Sequence, residues 1–221
     1  MHRSLFLGAA AVAALSLAAC NKPAANNPNA SEGAQTGNPG QTAPVNAVQD
    51  ATAAAVGKTS AATMGSHDTG AFVDNAGQGN MYEVQAAQIA EKKAKSSDVK
   101  AFAKMMVTDH TAMLNEMKPL VTAAGKTMPT ALDQRRKGMI DNLNAASAAD
   151  FDKAYIDQQV AAHDETLTLV NGYAQNGDDA GLKAMAAKGA PKVQAHLDKA
   201  KQIQASLSGS ANAGATSAPK K

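Results

Sequence analysis

The stretch SSDVKAFAKMMVTDHTAMLNEMKPLVTAAG, residues 96–125, decides the fold class. Val99, Phe102, Met106, Met113, Met117 and Leu120 recur at three- and four-residue steps, so they share one face of a helix; a strand would alternate instead. Ser96, Ser97 and Asp98 supply a turn and an N-cap in front, and Gly125 a stop behind. One ionisable residue, His110, interrupts the apolar seam. A long helix with one polar residue in its buried stripe is the unit to look for elsewhere.

Upstream, a helix from Asp68 or Thr69 to about Lys95 lines up Phe72, Ala76, Gly79, Ala87, Ala90 and Ala94, with Glu83 among them. Downstream, Pro129 and a Thr130/Asp133 capping-box spacing predict a short connecting helix to about Asn144. Ser147 and Asp150 repeat that spacing and open a third long helix that stops at Asn176 and Gly177. Its stripe of Ile156, Val160, Leu167 and Val170 is broken by His163. Asp178 and Asp179 cap a fourth, running to about Leu207, where Leu182, Gly189, Val193, Ala200 and Ile203 flank His196. Long helices joined by short turns pack antiparallel. The expected fold is therefore all-α: an antiparallel four-helix bundle over residues 68–207, with a short extra helix between the second and third long helices.

Composition agrees. The chain has 221 residues, 44% hydrophobic, and seven aromatic side chains (four Phe, three Tyr, no Trp), too few for a β-sandwich or barrel. A formal charge of +2 lacks the basic excess of a nucleic-acid binder. One cysteine excludes an intramolecular disulfide framework and a Cys-based zinc knuckle.

That cysteine closes a targeting segment, residues 1–20. His2 and Arg3 precede an apolar run from Leu5 to Leu17 that is shorter than the roughly 20 residues a membrane span needs. It ends on Leu17, Ala18, Ala19 and Cys20, which resembles the bacterial lipobox and implies lipidation of Cys20 and a membrane partner. Asn21 in place of Asp, by resemblance to the Gram-negative sorting rule, implies the outer membrane, facing the periplasm. Residues 21–67 hold four Pro and no Leu, Ile or Phe, so a disordered tether is expected, with a Gly/Ser/Ala-rich disordered tail over 208–221.

Each of the four stripes carries one interruption, and their depths can be counted at about 1.5 Å per residue. Glu83 lies 13 residues before Ser96, His110 13 after Ser97, and His163 13 before Asn176. His196 lies 17 after Asp179, roughly 6 Å too deep for a straight helix, with Pro191 in the interval as the expected site of a kink. Three imidazoles and a carboxylate make a ligand set for one transition-metal ion: zinc, copper or iron. Met106 and Met113, four before and three after His110, are the accessory-ligand candidates. The same four residues also suit a polar core without metal. Di-iron bundles use Glu-x-x-His, but Val107 and Val193 stand three residues before His110 and His196, so ferroxidase chemistry is not expected.

Phosphate loops, nucleophile elbows and motifs for an organic cofactor are missing. The run Gln134 to Lys137 reads as a solvated helix face, and Asp109 and Asp164 as surface charges, because neighbours on a helix point about 100° apart.

The run KMMVTDHT, residues 104–111, resembles the bacterial domain-of-unknown-function family 4142, described as predicted outer membrane proteins. So do Phe72, Val73 and Asp74 with Met81, Tyr82 and Glu83; the run DFDKAYI, residues 150–156, ahead of His163; and Pro191 ahead of His196 and Leu197. The resemblance implies a ferritin-like four-helix bundle in the cell envelope, without a settled activity. It places Glu83, His110, His163 and His196 on the family's motif positions. A more distant likeness is to periplasmic bundles whose Met-x-x-x-His segments are linked to copper handling. Three functions follow, in order: metal binding or buffering at a mid-bundle site; a structural or envelope-stress lipoprotein whose polar core fixes helix packing; a metal-dependent redox or hydrolytic enzyme. No catalytic residue is assigned.

Overall fold

The computed structural model describes residues 42–215, and side chains as far as residue 209. The targeting segment, Cys20, the first part of the tether and the last six residues lie outside the described residues. Six α-helices make up the described chain: α1 (Ala43–Ala62), α2 (Thr69–Lys93), α3 (Ser97–Ala123), α4 (Gln134–Ala145), α5 (Phe151–Asn176) and α6 (Ala180–Ala215), with a 3₁₀ turn at Met64–Ser66. Among the described residues no helix is long and apolar enough to cross a membrane.

The caps fix where the long helices begin. Asp68 accepts from the Ala71 amide (2.6 Å), Ser96 from Val99 (3.4 Å) and Asp179 from Leu182 (2.8 Å). Ser147 Oγ accepts from the Asp150 amide and donates to its carboxylate in the turn that leads into α5, which opens at Phe151 rather than directly after Ser147. α3 stops at Gly125, whose φ of +67° suits a residue without a Cβ.

α2 and α3 form one hairpin and α5 and α6 another; α2 packs on α5, and α3 on α6, closing a ring of four long helices. Asp152, near the start of α5, accepts from the amides of Lys95 and Ser96, so that end of α5 meets the α2–α3 turn. The core has two apolar clusters. One gathers Tyr82, Phe102, Met106, Phe151, Tyr155 and Ile156; the other Phe72, Met117, Leu169, Tyr173 and Leu182. In the second, Phe72 stacks on Tyr173 at 3.9 Å, and the tyrosine hydroxyl meets Thr69 Oγ1 at 2.8 Å. Along α2, α3, α5 and α6 the predicted polar residues fall between members of the two clusters.

Four expectations are corrected. Residues 43–62, expected as part of a disordered tether, form α1, which packs on α5 and α4. Its contacts need no large apolar side chain. Gly57 lies so close to Glu165 that a Cβ there would stand 1.9 Å from Oε2. Asp50 accepts from Asn142 and Gln158, and the Ala53 carbonyl accepts from Arg135. Helix α6 continues to Ala215, through residues expected in a disordered tail, with Pro191 inside its span. Proline there removes one N–H bond but leaves the flanking turns to hold the helix. α4 begins at Gln134, later than expected, because Asp133 is itself the cap, accepting from the Arg136 amide at 2.7 Å. Finally, Arg135 and Arg136 are not a solvated face. Both bond the buried Glu165 carboxylate, at 2.8–3.0 Å, and join α4 to α5.

Candidate metal centre

His110 on α3, His163 on α5 and His196 on α6 come together in the bundle interior, each at most 3% exposed. Their ring centroids are 5.5, 5.5 and 5.4 Å apart, a near-equilateral triangle. Among the described residues these three form a group in which one ring nitrogen of each lies within 4.8 Å of the other two. An ion central to such a triangle would stand at most about 2.8 Å from each nitrogen. Metal–imidazole bonds are about 2.0–2.1 Å, so the side chains would draw in by less than 1 Å or so.

One nitrogen of each ring is committed. His110 Nδ1 pairs with Asn80 Oδ1 at 2.8 Å, His163 Nδ1 with the Gln159 carbonyl at 2.9 Å, and His196 Nε2 with Asp109 Oδ2 at 2.9 Å. All three partners are acceptors, so the ring nitrogen facing each donates its hydrogen. The tautomers follow: a lone pair remains on Nε2 of His110, Nε2 of His163 and Nδ1 of His196. Among the described residues these three atoms are buried with no hydrogen-bond partner. An unsatisfied buried acceptor costs about 1–3 kcal/mol. A side chain from each helix, oriented by a second residue and offering a bare lone pair, is how metal-binding histidines are built.

The electrostatics keep those lone pairs available. Burial, reinforced by the other two imidazoles and Lys192, holds His110 well below the usual histidine range. Burial likewise lowers His163 to about 4. His196 is lowered by burial too, partly offset by Asp109. Burial alone would raise the Asp109 carboxyl, but hydrogen bonds from Lys192 and His196 outweigh it and hold it below its ordinary value. At neutral pH the cluster is three neutral imidazoles beside one carboxylate.

Glu83 on α2 is buried as its seam position predicted, with Oε1 3.7 Å from His163 Nδ1. That is the nitrogen already donating to Gln159, so Glu83 stands behind the His163 ring and the group of close nitrogens has three members. Burial pushes its carboxyl up to about 8. Met106 is fully buried in the apolar cluster that includes Phe102 and Tyr155, and Met113 is half-buried on the wall of a cavity between α3 and α6. Sequence reasoning missed Asn80 and Asp109. Asp109 does point away from His110 on its own helix, and that direction carries it across to His196 on α6. Asp164 is a surface charge as expected, paired with Lys58 at 2.6 Å.

Residues 54–203 match the family model described as "Domain of unknown function (DUF4142)". Two solved structures share the fold. "CopM in the Cu(II)-bound form" is 18% identical with a TM-score of 0.55, over 63% of this chain and 97% of that one. "CopM in the Ag-bound form (by co-crystallization)" is 19% identical with a TM-score of 0.51, over 61% and 93%. No curated protein matches.

Proposed function

We propose that this chain, which belongs to the DUF4142 family, binds one transition-metal ion through His110, His163 and His196, as a binding or buffering protein of the bacterial envelope. The observation that carries the reading is the set of three buried imidazole nitrogens left without partners in one cluster. A metal cation satisfies all three at once, where a trapped water, with two hydrogens, would leave at least one bare. Neutral imidazoles suit zinc, copper and iron. The likeness to copper- and silver-bound CopM supports copper among them, extended to this chain as a proposal. Asn80, Asp109 and the Gln159 carbonyl fix the ring orientations. Glu83, neutral in the absence of a cation, is the acid that can ionise to offset an arriving charge. Anchoring through a lipidated Cys20 to the outer membrane, facing the periplasm, rests on the lipobox resemblance of residues 17–20.

The test is elemental analysis with a melting curve. The full chain with Cys20→Ser, so that its thiol does not compete, is purified without a polyhistidine tag and titrated with copper and zinc. About one equivalent should be retained. At 100 times the dissociation constant the ion should add about 2.7 kcal/mol of stability. His163→Ala should abolish both effects. If neither ion is retained and the melting temperature does not move, the polar cluster is structural and the proposal fails.

A further inference from the structure

The three imidazoles are sealed, so an ion needs a way in, and two cavities abut the cluster's supporting residues. One, on the α2–α4–α5 side, includes Glu83 but has a volume of about 10 Å³ and is walled by Arg135 and Arg136. Its size opposes a metal cation, and its two guanidinium groups, paired with the single Glu165 carboxylate, leave the wall with an excess of positive charge. The other, bounded mainly by α3 and α6, has about 190 Å³. Asn80 and Asp109, which hold His110 and His196, form part of its wall, and Met113, Met117 and Met185 contribute three thioethers.

Two ion pairs lie on the wall of this second cavity, each joining α6 to α3. Lys188 meets Glu116 at 3.3 Å and Lys192 meets Asp109 at 2.8 Å. Lys188 and Glu116 are more than half exposed, and pairs so exposed are worth about 0–1 kcal/mol, weak enough to open in thermal motion. Gly189 sits between the two lysines, also on the wall, and a Cβ there would meet nothing within 4 Å.

We infer that the cavity between α3 and α6 is the entrance to the imidazole cluster, latched by the Glu116–Lys188 and Asp109–Lys192 pairs and lined by thioethers that favour a soft monovalent ion, Cu(I) or Ag(I). The inference rests on the proposed metal site and adds its route and the oxidation state of its cargo. Soft thioether sulfur prefers Cu(I) to zinc. Asp109, the last acidic side chain on the way, exchanges its Lys192 partner for the passing cation while still accepting from His196.

The experiment separates rate from affinity. The full chain with Cys20→Ser takes up Ag(I), which needs no reductant, from a chromophoric chelator in a stopped-flow instrument. Gly189→Leu adds a bulky side chain on the cavity wall, where a Cβ meets nothing within 4 Å, and should slow uptake by about tenfold or more, while one equivalent is still bound at equilibrium. Lys188→Gln, an exposed change that tests the latch without filling the core, should speed uptake. Zinc, offered the same route, should load more slowly than Ag(I). Uptake by Gly189→Leu at the wild-type rate, or an unchanged rate in Lys188→Gln, overturns the entrance and leaves the site standing. Failure of the wild-type chain to bind any ion overturns both.

Discussion

Glu83 and His163 are buried neighbours whose ionisations are pushed in opposite senses, and this sets how the metal-free protein responds to pH. Glu83 rises from 4.5 to about 8, so its contribution is complete below pH 4.5 and is lost as pH rises through about 8. His163 falls from 6.5 to about 4, so its contribution is present above pH 6.5 and is lost as pH falls through about 4. Between pH 4.5 and 6.5 the two slopes oppose each other; from 6.5 to 8 only the Glu83 loss remains of this pair. The metal-free melting temperature should therefore decline over that upper interval, and Glu83→Gln should flatten the decline. Differential scanning calorimetry across the range checks it. Asp109→Ala and Asn80→Ala leave the ligands in place but remove what orients them. Each should weaken metal binding by about 10–100-fold in a competition titration. The histidines were legible because a titratable side chain inside an apolar stripe contradicts its surroundings. Asp109 was not, since helical angle tells which way a side chain leaves its own helix and nothing about what the next helix brings to meet it.

At the scale of elements, the long helices announced themselves through caps and stops: Asp68, Ser96, Asp179 and Gly125 each act where the sequence placed them. α1 stayed hidden for a physical reason. Its attachment uses close approach and polar contacts, through Gly57, Asp50 and the Ala53 carbonyl, whereas an expectation built on apolar burial looks for Leu, Ile and Phe. The Arg135 and Arg136 pair was misread for a related reason, because its partner Glu165 is about 30 residues away in sequence. Gly57→Ala sets two magnitudes against each other. Alanine favours a helix interior over glycine by about 1 kcal/mol. The added methyl, however, must displace a carboxylate held by two guanidinium groups, and overpacking of that kind costs about 1–3 kcal/mol. The clash should win: a net loss of stability in urea denaturation, with faster tryptic cleavage at Lys58 as α1 lifts from α5.

At the scale of the whole molecule, the bundle has two apolar clusters with a polar layer between them, and the layer contains the proposed site. Without an ion, native-state hydrogen exchange should resolve two groups of protected amides, one around Phe102 and Tyr155 and the other around Phe72 and Tyr173, with different opening free energies. With one equivalent of copper the two should converge on a single value. Helix α5 passes through both clusters, and its 26 residues span about 39 Å. It carries His163 near its midpoint, as a beam carries a splice. If the proposed site fills, occupancy at the splice would decide whether the halves loosen separately or as one. A single ion would then be reported to both ends of the rod, to the Ser96 turn and to the Gly177 turn, with no helix having to move.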